Sequence, residues 1–172
     1  VPSGVRTTDE IAATLTIRNG RELNHAVDVA APVACPEAEL SIEPYILGAW
    51  LGDGSSHKAE ITTADPEILT QFHEAGYRTS ERAPITYGVY ALLPTLRMNG
   101  LLANKHIPKA YLRASISQRL ALLQGLMDTD GYADARGQCE FTTTREPLAH
   151  DVRELICSLG IKATITVGRA ML

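Results

Sequence analysis

What this 172-residue sequence is short of narrows it first. It holds three cysteines, Cys35, Cys139 and Cys157, odd in number, far apart and without a CxxC pair, so neither a disulfide scaffold nor a cysteine zinc site is indicated. A reducing cytoplasm is the expected compartment. The five histidines are scattered, none at metal-ligand spacing from another His or Cys. No apolar run approaches the roughly 20 residues of a spanning helix, which excludes a membrane segment from the reading. The opening "VPSGVRTTDE" lacks the basic-then-apolar layout of a signal peptide, and its first residue is not Met, as expected of a fragment or processed segment. Positive charge is also in deficit. Sixteen Lys and Arg face 20 Asp and Glu, for a net charge of −4 and a pI near 5.7, which on its own argues against a nucleic-acid partner.

What is present is an ordinary globular composition, 45% hydrophobic and 21% charged, enough for one domain or two small subdomains sharing a core. Residues 1–40 read separately, as a linker or domain-proximal segment. "TTDE" is a capping box, Thr7 with Glu10, before a brief helix; Asn19-Gly20 marks a turn between two short strands. Asn24 and His25 are candidates either for a contact to DNA or for stabilising a turn.

From Ser41 onward the chain matches itself. "YILGAWLGDG" and "LLQGLMDTDG" are apolar helices that end in Asp53-Gly54 and Asp130-Gly131, each with a glycine five positions before the acid, Gly48 and Gly125. Downstream, "EITTADPEIL" aligns with "EFTTTREPLA" and "FHEAGYR" with "ICSLGIK", predicting strand, helix and a glycine stop twice, at Gly76 and Gly160. Pro44 opens the first helix; Ser115 and Gln118 make a capping box for the second. The spacing predicts an α+β fold of two pseudo-symmetric subdomains, residues 41–114 and 115–172, the second shorter than the first.

Gly48 with Gly52, and Gly125 with Thr129, give each helix a stripe of small residues on which the two can cross closely. Such a crossing brings Asp53 and Asp130 together at two helix C-termini, where partial negative charge already resides. Two carboxylates there repel, and a divalent cation relieves them. Oxygen donors from Asp53 and Asp130, with the carbonyls of Gly52 and Thr129, suit Mg²⁺, whose remaining coordination goes to water and a substrate phosphate.

On these residues the chain resembles the LAGLIDADG homing endonucleases. The two helix segments are similar to the family's two motif copies, and "LLANKHIPKAYLRASISQRLALLQGLMDTDG" is similar to the endonuclease domain found inside inteins, those inserted in bacterial replicative helicases above all. The resemblance implies αββαββα-type subdomains packed through the acid-terminated helices, with antiparallel sheets forming a DNA-binding saddle. It implies a monomer built as an internal pseudo-dimer, and Mg²⁺-dependent hydrolysis of double-stranded DNA at the intein-free host site. Asp53 and Asp130 become metal-binding catalytic acids and Lys105 of "NKHIP" the supporting lysine. The counterpart of Lys105 in the second half is expected beyond Leu172. An intein splicing domain is the implied partner in cis, since a splice-start nucleophile, a T-x-x-H block and a terminal His-Asn are not seen here. The alternative is a decayed, non-catalytic DNA-binding or structural insert of an intein, or a regulator of the same fold.

The charge deficit is answered locally. Lys58, Arg78, Arg82, Arg136, Arg145 and Lys162 fall in or near the strands and loops that follow the two motifs, where a DNA-facing sheet presents them. Arg97, Lys109, Arg113 and Arg119 add a basic stretch before the second helix. Asp128 pairs with Leu51 in the repeat and so has no acidic twin; Tyr45 and Trp50 are expected in the core.

Overall fold

The computed structural model describes residues 4–168 of the chain, which separates into two compact units at the 30/31 boundary. The first unit is small. Helix α1 (Thr8–Ala13) starts on the Thr7/Glu10 capping box, and a two-stranded ribbon follows, β1 (Thr16–Ile17) against β2 (Glu22–Leu23), turning through Asn19 and Gly20 at positive φ. Asn24 donates its side-chain amide to the Thr14 carbonyl at 2.9 Å and His25 contacts the Thr14 hydroxyl at 2.8 Å. Both residues therefore close this unit on itself.

The second unit, residues 31–172, contains both repeats around one hydrophobic core. Residues 31–40 belong to it: Val33 donates its amide to Ser158, and Gln118 holds Ala38 through both backbone groups, at 3.0 and 2.7 Å. The first half runs α2 (Pro44–Asp53), β3 (Glu60–Thr62), α3 (Pro66–Glu74), β4 (Thr79–Ala83), β5 (Thr86–Val89) and α4 (Leu92–Met98). Its sheet is antiparallel in the order β3-β5-β4, and the strand expected directly after α2 is reduced to a bridge between Gly54 and Ile61. Alternation puts Ile61 and Val89 in the core and leaves the other face of the sheet outward.

After a short turn of helix, α5 (Lys109–Leu112), the second half runs α6 (Ile116–Asp130), β6 (Gly131–Ala133), β7 (Cys139–Phe141) and α7 (Glu146–Ser158). Helix α6 starts on the Ser115/Gln118 box, as its sequence predicts. Helices α3 and α7 stop at Gly76 and Gly160, whose φ values of +84° and +79° are cheap only for glycine. The second sheet has two strands among the described residues, and residues 161–168 form no strand. The fold is thus α+β with antiparallel sheets and a repeated helix–sheet–helix plan, richer in strands in its first half. No helix among the described residues is long and apolar enough to cross a membrane.

Candidate active site

Helices α2 and α6 meet along their small residues. A Cβ on Gly48 would collide with the Leu122 carbonyl and lie 2.9 Å from the Leu126 amide; one on Gly125 would collide with the Tyr45 carbonyl and lie 2.8 Å from the Ala49 amide. A Cβ on Gly52 would strike the Thr129 hydroxyl. Backbone is therefore packed directly against backbone, which only glycine allows at 48 and 125. Around this seam Leu47, Trp50 and Leu51 from one helix and Leu122 and Leu126 from the other are buried.

The crossing brings both helix ends to one place. Burial raises the pKa of Asp53, and the Asp130 carboxylate raises it further, with Lys105 opposing. Burial likewise raises that of Asp130, again opposed by Lys105. Lys105 is 7% exposed. Its Nζ donates to the Gly52 carbonyl at 2.8 Å and lies 5.3 Å from the centre of the Trp50 ring, a cation–π contact. Burial pushes its pKa down to about 8; Asp130 and, less strongly, Asp53 hold it up, while Arg145 pushes it lower. Two acids with raised pKa values and a lysine with a lowered one share one neighbourhood.

A cavity of about 290 Å³ opens there, lined by Gly52, Lys105, Asp130, Thr143 and Arg145 among others. Arg145, expected on a sheet face, instead precedes α7 and turns into this cavity, donating to the Ser56 hydroxyl of the first half at 3.0 Å. As to a metal, no three His, Cys, Asp or Glu side chains cluster among the described residues. What the site offers is a pair of partly desolvated carboxylates at helix C-termini, a hard-oxygen set that fits Mg²⁺ with its few protein ligands. The Gly52 carbonyl already accepts from Lys105, and the Thr129 hydroxyl is turned back to the Gly125 and Leu126 carbonyls at 3.0 and 3.1 Å. Thr129 can contribute to such a site only through its backbone.

Of the basic residues, Arg78 and Arg82 lie on the outward face of the first sheet, 5.6 and 5.9 Å from the centre of the Tyr90 ring between them. Lys58 precedes that sheet and pairs with Glu60 at 3.6 Å. Arg136 sits in the turn between β6 and β7, a turn fixed by the Asp134 carboxylate accepting from the amides of Arg136 and Gln138. Lys162 is exposed but lies after α7 in a segment without strand structure. The stretch before α6 divides: Arg113 is engaged by Glu154 at 2.7 Å, and Arg119 is no surface residue at all. At 1% exposure, the Arg119 guanidinium is spent on carbonyls of Ala114, Ser158 and Val33 and on the Ser158 hydroxyl. It faces inward because α6 turns that side toward the end of α7, where helix-end carbonyls need donors. Its position between Leu122 and Leu126 in the helical repeat and Ser115 is the one sequence signal of that orientation.

Tyr45, expected in the core, is half-buried and donates its hydroxyl to Asp128 at 2.9 Å, giving the acid of α6 that has no twin in the repeat a partner across the seam. Burial, then the bond to Asp128, raises the Tyr45 pKa.

Comparison with known proteins agrees with this geometry. Residues 117–170 match the family model described as a LAGLIDADG-like domain. Over 168 residues, 97% of its length, the chain is 46% identical to a protein named replicative DNA helicase DnaB from Mycobacterium intracellulare. The chain spans 28% of that relative's length.

Proposed function

We propose, from the premise that residues 117–170 form a LAGLIDADG-like domain, that the chain is the homing-endonuclease part of an intein. On this reading it hydrolyses both strands of double-stranded DNA at the intein-free site of a replicative helicase gene. Its likeness to a helicase over nearly its whole length supports the host assignment, and an intein splicing domain is the partner in cis. The observation that carries the proposal is the meeting of Asp53 and Asp130 at the ends of two backbone-packed helices, with the buried Lys105 beside them and the pKa values of both acids raised. A protein that only bound DNA would gain nothing from so costly a pairing.

Asp53 and Asp130 would hold Mg²⁺ with the Gly52 and Thr129 carbonyls at the edge of its shell. When bound, the ion supplies an activated water and charge neutralisation at the leaving oxygen. Lys105, with its pKa near 8, is suited both to steady a scissile phosphate as an ammonium and to move a proton close to neutral pH. Arg145 in the cavity adds a second cation for the phosphate. Lys58, Arg78, Arg82 and Arg136 take the flanking backbone phosphates, with Lys162 an outlying contact.

A second reading, a decayed insert that binds DNA without cutting it, is favoured by the two-stranded second sheet. The discriminating assay uses linear DNA carrying the uninterrupted helicase-gene junction, with Mg²⁺ or with EDTA. Metal-dependent cleavage that vanishes in an Asp53→Asn, Asp130→Asn double variant is the expected outcome. Retained binding with no product at any metal concentration selects the second reading.

A further inference from the structure

Lys105 comes from the first half, but the segment that carries it has no regular structure of its own and is held by the second. Leu101 and Ile107 are buried, and from Asn104 to Ile107 burial alternates along the irregular chain, with Lys105 and Ile107 inside, Asn104 exposed and His106 half-buried. Lys105 and Ile107, two residues apart, are both buried, the alternation of a chain that turns successive side chains to opposite sides, so the orientation of Ile107 constrains that of Lys105. The Ile107 amide donates to Asp151 Oδ2 of α7 at 2.9 Å. Asp151 lies one turn from the buried Leu148 and Leu155, on the side of α7 packed against the core. Among the described residues it makes no ion pair. Its carboxylate therefore serves the backbone of the other half. A second tie runs from the start of α7: Arg145 donates to the Ser56 hydroxyl, and the Ser56 carbonyl accepts the Ala103 amide at 2.6 Å. Both ends of the Lys105 segment are thus attached to α7.

We propose that Asp151 is a positioning residue for Lys105: by accepting the Ile107 amide it fixes the course of the segment and so aims the lysine at the Gly52 carbonyl and the cavity. The second half then governs the one lysine of the candidate site, and α7 couples its own sheet to that lysine. The inference deepens the endonuclease reading and rests on it for its catalytic consequence, but its geometric content does not.

The chain's single tryptophan makes the test direct, because Trp50 lies under the Lys105 ammonium. Trp50 emission is recorded without DNA for the full chain, for Lys105→Met as the reference of an absent ammonium, and for Asp151→Ala and Asp151→Asn. Asp151→Ala is expected to shift the spectrum toward that of Lys105→Met, and Asp151→Asn, which keeps an acceptor oxygen, to match the unsubstituted protein. Should Asp151→Ala not fold, Asp151→Gln, whose acceptor sits one methylene too far out, replaces it with the same expectation. In the cleavage assay the alanine variant is expected to lose on the order of tenfold to hundredfold in kcat with KM for DNA unchanged, and the asparagine variant to retain activity. A folded Asp151→Ala or Asp151→Gln with unaltered Trp50 emission overturns the proposal, as does an asparagine variant that behaves like alanine. If the unsubstituted chain does not cleave DNA, the endonuclease reading fails while the fluorescence result still decides the positioning role.

Discussion

The two halves of the second unit share a plan and differ in how much of it they build. Both have an apolar helix closing on Asp-Gly, a strand, and a second helix stopped by glycine. The first adds the β4–β5 hairpin, α4 and the irregular segment bearing Lys105, whereas the second offers two strands and α7 among the described residues. Yet the better-built half holds its lysine with help from the other: the leaner half supplies Asp130 and Arg145 to the same cavity and, through Asp151, accepts the Ile107 amide beside it. What is repeated is the seam; what is unrepeated is shared across it. The halves are therefore one chemical unit despite their inequality.

The seam should be the most sensitive point. Gly125→Val places a side chain against the Tyr45 carbonyl and Ala49 amide of a helix that cannot retreat, and backbone overlap of this kind lies at or above the ~3 kcal/mol upper range of overpacking. The variant is expected to lose its cooperative unfolding transition in urea or heat. A native-like transition would mean that the halves tolerate separation.

Next in size is the tether at the far end of the second half. Arg119→Met removes four hydrogen bonds and leaves the buried Ala114 carbonyl short of a donor, while the Ser158 carbonyl keeps the Val33 amide, a loss on the order of 3 kcal/mol. Urea denaturation should show it, while the charge-deficient surface elsewhere predicts little change for Lys109→Ala in the same stretch. Equal effects would erase the distinction between the buried and exposed members of that stretch.

The smallest effect tests the paired acids. A carboxylate whose folded pKa lies above its ordinary 3.8 is better accommodated protonated, so its favourable contribution is present at low pH and lost as pH rises through the folded value. At pH 7 Asp53 should therefore cost stability in metal-free protein. Asp53→Asn is expected to melt a few degrees higher than the unsubstituted chain at pH 7 in EDTA, and the gap to close as pH falls below about 3.8. A variant less stable at pH 7 would show that Lys105 compensates the acids more fully than burial and repulsion oppose them.

Local chemistry was legible in the sequence wherever a residue acts on its neighbours in the chain. The capping boxes at Thr7 and Ser115, the Asn19-Gly20 turn and the stops at Gly76 and Gly160 follow from hydrogen bonds or φ values set within a few residues. The glycine stripes were legible because the repeat printed them twice. Arg119, Arg145 and Asp151 were not, because each acts on a backbone or side-chain group at least 39 residues away that only the packing of α7 brings near. A charged residue in a charged stretch looks like surface until its partners are in view. The strand count was half legible: "AEITT" and "CEFTT" both pair, but the strand expected after Asp53 survives only as the Gly54–Ile61 bridge.

On the proposed reading the two unequal halves jointly present one divalent-metal site at Asp53 and Asp130. Titration of the full chain with Mn²⁺, a spectroscopically visible substitute for Mg²⁺, followed by electron paramagnetic resonance measures this without DNA. Saturable binding that is lost in Asp53→Asn and in Asp130→Asn alike is the result expected; no saturable binding, or binding that survives both substitutions together, would contradict it.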